Sequence, residues 1–317
     1  MIRLYFLQAF YHLRENPIIT WVSILGTAMA ICMIMVLVIT FQVRLVDCEP
    51  EVNRSRTLYV PYMSVKQKGK SDNESANASM SVRTGRECFR ALSMPEAVTL
   101  ASGVYRVRAS VPSGSKATAD MVQTDEAFWT IFSFHFLSGA AFTKADCDAG
   151  LTRAVLDATT ARKLFGTTDA VGRTVQLDYV DYTVAGVVAD VSMLATAAYA
   201  QIWVPYTAAG ADAMSWRDDT MGPMHAIILA RSFADFDAIR EETKLLRKKY
   251  NDGLQDVEVF YRGQPDTQLA YLYRRWYAEP DVPGVMLRYA IVVIILLLVP
   301  AVNLSGMTLS RMRRRMA

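Results

Sequence analysis

Two long runs of apolar residues, one near each end, dominate the hydrophobic pattern of the chain. The first extends from Ile18 to Val43 without a charged residue, and the second extends from Tyr289 to Ser310 with no ionisable group other than the tyrosine. At about 1.5 Å per residue, either run is long enough to cross a hydrocarbon core of roughly 30 Å. The pattern therefore predicts two transmembrane helices, at 18–43 and 287–310.

Each run has an alternative interpretation. Ala28-Met29-Ala30 has the small-x-small pattern of a signal cleavage site, but 13 more uncharged residues follow it up to Val43. Signal peptides have only about 7–15 apolar residues, so an uncleaved helix is the better interpretation. The second run resembles a buried helix of a soluble domain in length. Pro300 and Asn303 favour a membrane helix that packs on neighbouring helices, which satisfy the freed polar groups.

Basic residues flank the two predicted helices on their outer sides. By the positive-inside rule both flanks are cytoplasmic, which places residues 44–286 outside the cytoplasm. Residues 1–17 then form a cytoplasmic amphipathic segment, and 311–317 form a basic cytoplasmic end. The bases concerned are Arg3, Arg14, Arg311, Arg313, Arg314 and Arg315. The last four are candidates for contacts with a cytoplasmic partner, although anchoring beside lipid headgroups is the simpler interpretation.

The charge balance of the chain argues against nucleic-acid binding. The 317 residues are 52% hydrophobic and include 34 bases and 31 acids. The cytoplasmic flanks contain six of the bases and one acid, so the rest of the chain has 28 bases and 30 acids. A nucleic-acid-binding domain has a basic surface, and the segment between the helices has no such excess.

The cysteines and histidines define no metal site in the sequence. Cys32 lies in the first apolar run, which leaves Cys48, Cys88 and Cys147 outside. At most one intramolecular disulfide can form, and three free thiols are equally compatible with the pattern. There is no CxxC pair, and the three histidines are scattered, so we expect no zinc site.

The first half of the outer segment contains strand and helix signals of mixed strength. TLYVPYM at 57–63 is typical of a strand, and the polar stretch 65–87 predicts a loop or mobile insertion. Ser93 and Glu96 have the spacing of a capping box, which predicts a helix to about Ser102. A strand at 104–111 follows. Thr124 then has the position of a helix cap before an aromatic row at 128–136. The simplest interpretation of this row is a hydrophobic core, and the alternatives are a nucleic-acid stacking platform or a ligand site.

The second half has clearer signals. A strand at 154–156, a cap at Asp157, a helix to Phe165 and a terminating Gly166 follow one another. Alternating residues predict two strands within 170–191, and further strands at 201–206, 225–230 and 256–263. Apolar residues at helical spacing predict an amphipathic helix at 232–251.

Four of these motifs occur in the order typical of the periplasmic core domain of MacB-type permeases. They are TARKLFG, AVGRTVQLD, YTVAGVVADV and IWVPY, and LVPAVNLSGMTLSRMRRR is similar to the second transmembrane helix of FtsX/MacB-like proteins. The chain thus resembles an FtsX/MacB-like ABC transporter permease.

This resemblance implies an α+β membrane protein in which two transmembrane helices flank an extracytoplasmic domain at 44–286. It implies an α/β porter-like subdomain formed by 49–125 and 222–284, with a β-rich subdomain at 126–221 inserted into it. Family members continue into two more membrane helices, and we expect either a truncated chain or a second polypeptide that supplies them.

The resemblance also implies a function. Such a permease couples ATP hydrolysis by a partner ABC ATP-binding subunit to movement of its outer domain, for export or efflux across the bacterial inner membrane. A periplasmic adaptor, an outer-membrane channel and a homo- or heterodimer are implied as partners. The chain itself would bind no cofactor, because it has no P-loop and no GxSxG motif.

Two other functions are compatible with the sequence. A non-transporting membrane scaffold or signalling protein could regulate cell-envelope enzymes or lipoproteins with the same outer domain. A membrane-anchored hydrolase could use Asp125, Glu126 and Asp190, but acids at such positions usually cap helices, and no histidine is recognisably paired with Ser or Cys. We therefore expect no enzymatic activity.

Overall fold

The computed structural model describes residues 17–112, 114–274 and 279–315, without the side chains of residues 19, 212, 299 and 303–315. These residues form two compact units, a helical unit from 17–44 and 281–315 and an outer domain from 45–280. Each unit is described by itself below.

The helical unit consists of α1 (Pro17–Leu45) and α8 (Val282–Arg315). Their stretches Thr20–Leu45 and Val282–Val302 have the length and apolar composition needed to cross a membrane. The rings of Phe41 and Tyr289 lie 5.8 Å apart. Both helices lie where the sequence predicts them, although α8 begins at Val282 instead of 287. That α8 crosses a membrane stays a prediction.

A four-stranded antiparallel sheet contains both the first strand after α1 and the last strand before α8. Its order is β14-β1-β12-β4. The strands are β1 (Thr57–Val60), β4 (Ala97–Ser102), β12 (Met224–Leu229) and β14 (Asp266–Thr267). β12 lies between β1 and β4, and its residues Ala226 and Ile228 are fully buried.

A three-stranded sheet and two helical segments complete this part of the domain. The sheet has the order β13-β2-β3, from β2 (Met63–Gln67), β3 (Ala76–Ala78) and β13 (Val257–Phe260). The helical segments are α2 (Val82–Gly85), which continues as a π-helical turn at Arg86–Arg90, and α6 (Phe236–Gly253). Ile239 and Tyr250 of α6 join a hydrophobic core that these sheets share.

Six further strands close into a ring. The pairing runs β10-β8-β11-β6-β5-β9, and β9 pairs back to β10. The strands are β5 (Tyr105–Ser110), β6 (Lys116–Thr124), β8 (Arg153–Asp157), β9 (Thr174–Leu177), β10 (Val180–Val188) and β11 (Ile202–Pro205). A seventh strand, β7 (Phe136–Gly139), pairs with β10 beside β9. Closure removes exposed edges, because β9 covers what would be the free edges of β5 and β10.

Short helices accompany the ring. They are α3 (Phe128–Ile131), α4 (Lys144–Asp148) and α5 (Ala158–Phe165), with α7 (Gln268–Tyr273) after β14. The ends of α5 agree with the prediction. The Asp157 carboxylate accepts a hydrogen bond from the Thr160 amide at 2.7 Å, and Gly166 ends the helix with a φ of 74°.

The predicted helix at 93–102 is wrong. Residues Ala97–Ser102 form β4, which pairs along its whole length with β12 and is almost wholly buried. Glu96, predicted to reach back to a helix cap, instead pairs with Arg56. Ser93 donates its hydroxyl to Glu242 Oε1 at 2.7 Å. Here long-range strand pairing outweighs the local capping signal, which is a weak prior.

Three smaller predictions also need correction. Pro61 divides 57–63 into β1 and β2, which belong to different sheets. The supposed loop at 65–87 contains the end of β2, all of β3 and the start of the helical segment at 82–90. Thr124 ends β6 and does not cap a helix, since α3 begins at Phe128 with Ala127 before it.

The boundary drawn at 125 between the two subdomains is also misplaced. β5 and β6 lie on its porter-like side, yet they complete the ring that contains β7 to β11. The change from one sheet to the other therefore falls at Gly103-Val104, between β4 and β5. The division into porter-like and inserted subdomains itself stays a prediction.

Candidate functional site

A buried ion pair fixes the start of the outer domain. Arg54 donates from Nε to Glu51 Oε2 at 2.6 Å, and both side chains are almost fully buried. Its Nη1 donates to the Val46 carbonyl and its Nη2 to the Leu194 carbonyl, each at 2.8 Å. The other carboxylate oxygen of Glu51 accepts hydrogen bonds from the two backbone amides at 197–198, at 2.7 and 3.0 Å. We call Glu51 and Arg54 the entry anchor.

A second buried ion pair fixes the end of the outer domain. Asp266 and Arg274 form a two-pronged pair, in which Arg274 Nη2 donates to Asp266 Oδ1 at 2.7 Å. The same nitrogen donates to the Arg262 carbonyl at 3.0 Å. Burial raises the pKa of Asp266, and the hydrogen bond and charge of Arg274 act against this rise. We call Asp266 and Arg274 the exit anchor.

The two anchors are joined through neighbouring strands. β14, which contains Asp266, pairs antiparallel with β1, and Asp266 lies opposite Tyr59. The Tyr59 ring stacks on the Tyr271 ring of α7 with centroids 4.6 Å apart. The chain that enters the outer domain and the chain that leaves it are thus held side by side in one sheet. Such fully bonded, buried groups are rigid, because any displacement exposes an unpaired charge.

A third charged group joins the four-stranded sheet to the ring. Asp125, at the end of β6, accepts hydrogen bonds from the Thr99 hydroxyl at 2.6 Å and the Leu100 amide at 3.0 Å, both in β4. Arg90 donates to Asp125 and to Glu126, each at 2.9 Å. Burial raises the pKa of Asp125 to about 6, and the charge of Arg90 acts against the rise.

The structure also contains a Ser–His contact that the sequence did not reveal. Ser79 Oγ lies 2.8 Å from His225 Nε2, although 146 residues separate them. Burial is the sole cause that lowers the pKa of His225 to about 4. Within the described residues no carboxylate bonds to the other ring nitrogen, so the pair lacks the group that orients a catalytic histidine. No local motif could have identified it, because Ser79 and His225 meet only after β12 pairs.

The acids considered for hydrolysis do not converge. Asp125 and Glu126 are bound to Arg90, whereas Asp190 accepts from the amide and hydroxyl of Thr159 at 2.8 Å each. The aromatic row at 128–136 is core: Phe128 and Phe132 are buried and pack on each other in an edge-on contact.

The remaining candidate residues contribute no site chemistry in the described part of the chain. The described residues contain no group of three or more metal-ligating side chains. All four cysteines have free thiols, and burial raises the pKa of Cys88 and of Cys147 to about 12. The helix α8 runs through Arg311, Arg313, Arg314 and Arg315, whose side chains lie outside the described residues.

These features define a class of protein, namely an α/β outer domain anchored at both ends and connected to apolar helices. The family described as the MacB-like periplasmic core domain matches residues 20–246, and the chain belongs to this family. With its N-terminal apolar helix, it is a membrane protein with an extracytoplasmic domain of the ABC transporter permease type.

The chain is similar to two solved structures of transporter domains. The periplasmic region of MacB from Actinobacillus actinomycetemcomitans is 16% identical, with a TM-score of 0.45 over 64% of this chain and 90% of that one. The extracellular domain of the noncanonic ABC-type transporter YknZ from Gram-positive bacteria is 15% identical, with a TM-score of 0.41 over 63% of this chain and 99% of that one. A comparison with curated proteins found no match.

Proposed function

We propose that the chain is a permease subunit of a MacB/FtsX-type ABC transporter. In this proposal a partner ABC subunit binds and hydrolyses ATP in the cytoplasm, and the chain passes the resulting movement to its extracytoplasmic domain for export or efflux. The chain performs no chemistry of its own and binds no cofactor. It lies in the bacterial inner membrane as a homo- or heterodimer and engages a periplasmic adaptor and an outer-membrane channel.

The two anchors are the observation that carries the proposal. The entry anchor holds the chain within ten residues of the end of α1, and the exit anchor ends at Arg274, ahead of α8, which begins at Val282. Both anchors lead into one sheet, because β1 follows Arg54 in the chain and β14 contains Asp266. In this proposal the movement of the helices enters the outer domain at these two fixed points.

Capture of the intact chain from its own cells tests the proposal. An affinity-tagged chain, cross-linked before solubilisation, should recover an ABC ATP-binding subunit by mass spectrometry. The purified chain alone should hydrolyse no ATP, and hydrolysis should appear with the recovered subunit. An ATPase activity that belongs to this chain would contradict the proposal. Recovery of a cell-wall hydrolase or lipoprotein without any ATP-binding subunit would instead support the scaffold function.

A charge-conserving variant tests the four C-terminal arginines. Replacing Arg311, Arg313, Arg314 and Arg315 with lysine keeps the positive charge that sets topology but removes bidentate hydrogen bonding. We expect unchanged insertion and unchanged recovery of the ATPase if these residues are topology anchors. Loss of the ATPase with normal insertion would assign them to the partner interface.

A further inference from the structure

A cavity of about 720 Å³ lies where the four-stranded sheet meets the ring. Its wall includes the β4–β5 connection at 102–105, His225 of β12, and Tyr271 of α7. A smaller cavity of about 180 Å³ adjoins it and shares part of this wall, including Gly103 and His225. The larger volume is within the range of roughly 300–1,000 Å³ that is typical of small-molecule sites.

The part of the cavity wall that the structure describes is largely apolar and carries no free charge. Three tyrosine rings, of Tyr62, Tyr105 and Tyr271, line it together with Val104 and Met214. Among the described residues that line it, Arg274 is the one charged residue, and its guanidinium is held by Asp266 in the exit anchor. Such a wall disfavours an ionised ligand, because a buried charge without a counter-charge is costly.

One buried polar group in the wall lacks a partner. Gln123 is only 4% exposed, and its Nε2 lies 2.5 Å from the Tyr105 hydroxyl. Its Oε1 has no hydrogen-bond partner among the described residues. Rotating the amide by 180° would exchange the two atoms and leave the nitrogen unpaired instead. Either arrangement leaves one end of a buried carboxamide unsatisfied and shielded from water, and a turn of the side chain toward the cavity that it lines would let a polar group of a ligand bond to it.

We propose that this cavity binds a small, uncharged aromatic molecule that carries one hydroxyl or N–H group. The ring of the ligand packs on the tyrosines, and its polar group bonds to the Gln123 carboxamide. Ser79 and His225 form a neutral, mutually bonded part of the wall. This site is independent of ATP coupling, so it can be tested on the chain without any partner.

Glycine at position 103 allows the cavity to be filled by one substitution. A Cβ at Gly103 would meet a single neighbour, His225 Cε1, at 3.8 Å, so a large side chain has room to enter the cavity. Gly253, at the end of α6, offers a matched control, since a Cβ there meets nothing within 4 Å and Gly253 does not line the cavity. G103W and G253W therefore compare a filled cavity with an equal change elsewhere.

Binding of 2-naphthol and naphthalene to the full chain in lipid nanodiscs tests the proposal by equilibrium dialysis against empty nanodiscs. 2-Naphthol should bind saturably at one site, with a dissociation constant below roughly 1 mM. G103W should weaken this binding at least about tenfold, and G253W should leave it unchanged. Q123L, which keeps the side-chain size, should weaken 2-naphthol about fivefold to tenfold but leave naphthalene unaffected.

Several outcomes would overturn the proposal. Wild-type protein that takes up no more 2-naphthol than empty nanodiscs has no such site. Equal binding by G103W and the wild type would place any site elsewhere. If thermal unfolding shows that G103W does not fold, the binding of the two probes to Q123L tests the proposal instead. If Q123L weakens the binding of both probes equally, or of neither, a hydrogen bond from 2-naphthol to Gln123 is excluded. The control for Q123L is Q67L, at the exposed end of β2.

Discussion

Replacing Arg54 with methionine removes the cation of the entry anchor and leaves its other groups in place. Methionine has a similar length and no polar group, so the change tests the ion pair and not the packing. The Glu51 carboxylate, 1% exposed, would then retain only the two amide donors of Ala197 and Ala198. The carbonyls of Val46 and Leu194 would lose their donors as well.

The magnitude follows from the burial of both partners. Removing one partner of a buried ion pair typically costs about 3–5 kcal/mol, because the remaining charge is left uncompensated. A matched control is Arg83→Met, since Arg83 pairs with Glu87 at 3.0 Å and both side chains are about half exposed. An exposed pair four residues apart on a helix contributes only about 0.3–0.5 kcal/mol. We therefore expect R54M to lower the free energy of unfolding by at least about 2.5 kcal/mol more than R83M.

Denaturant unfolding of the full chain in detergent measures this difference. Trp203 is fully buried and its Nε1 donates to the Ala198 carbonyl at 3.3 Å, so its fluorescence reports on the loop that the entry anchor holds. The double variant E51Q/R54M should recover part of the loss, because glutamine keeps an oxygen for the amides without a charge. The reasoning is refuted if R54M costs no more than R83M, or if the double variant is no more stable than R54M.

Three further outcomes are expected. Burial raises the pKa of Asp125 to about 6, above the model-peptide value of 3.8. The contribution of this group to stability is thus greatest below pH 4 and is lost as the pH rises through 6. The wild type should therefore lose about 2–3 kcal/mol of unfolding free energy relative to D125N between pH 4 and 7, and a constant difference would contradict this. G186A should cost about 1–3 kcal/mol, because its Cβ would lie 2.6 Å from a backbone carbonyl, whereas G253A, with open space around it, should cost far less. Single cysteines at Lys70 and Arg314 should label from outside and inside the cell respectively, and the reverse pattern would overturn the topology.

The second half of the outer domain could be predicted well because its signals are local. The Asp157 cap and the Gly166 terminator act within a few residues, so the sequence around them determines α5. Alternation in β9 and β10 is equally local, since Val175, Leu177 and Tyr182 all turn inward from neighbouring strands.

The first half could not be predicted because its decisive contacts are remote. β4 exists because Ala97–Ser102 pairs with Met224–Leu229, more than 120 residues later, and no local signal encodes that partner. Closure of the ring depends on only two residue pairs between β5 and β9, Ala109 with Leu177 and Ser110 with Gln176. The entry anchor is similar: Arg54 and Glu51 are readable as a nearby pair, but the Leu194 carbonyl that completes it lies 140 residues away.

The position of Asp125 connects the anchors to the ring. A pull on β1 passes through β12 to β4, since these strands are bonded in that order. From β4 it reaches β6 through Asp125, which accepts from Thr99 and Leu100 of β4 while it belongs to the end of β6. The carboxylate thus adds a direct link between β4 and β6 beside the short covalent connection at Gly103. D125A, which removes both acceptor oxygens, should loosen the ring from the sheet while leaving both anchors intact. The backbone amides of β6 should then exchange faster in the variant than in the wild type, while those of β1 exchange at the wild-type rate. Equal protection of β6 in the variant and the wild type would exclude this route.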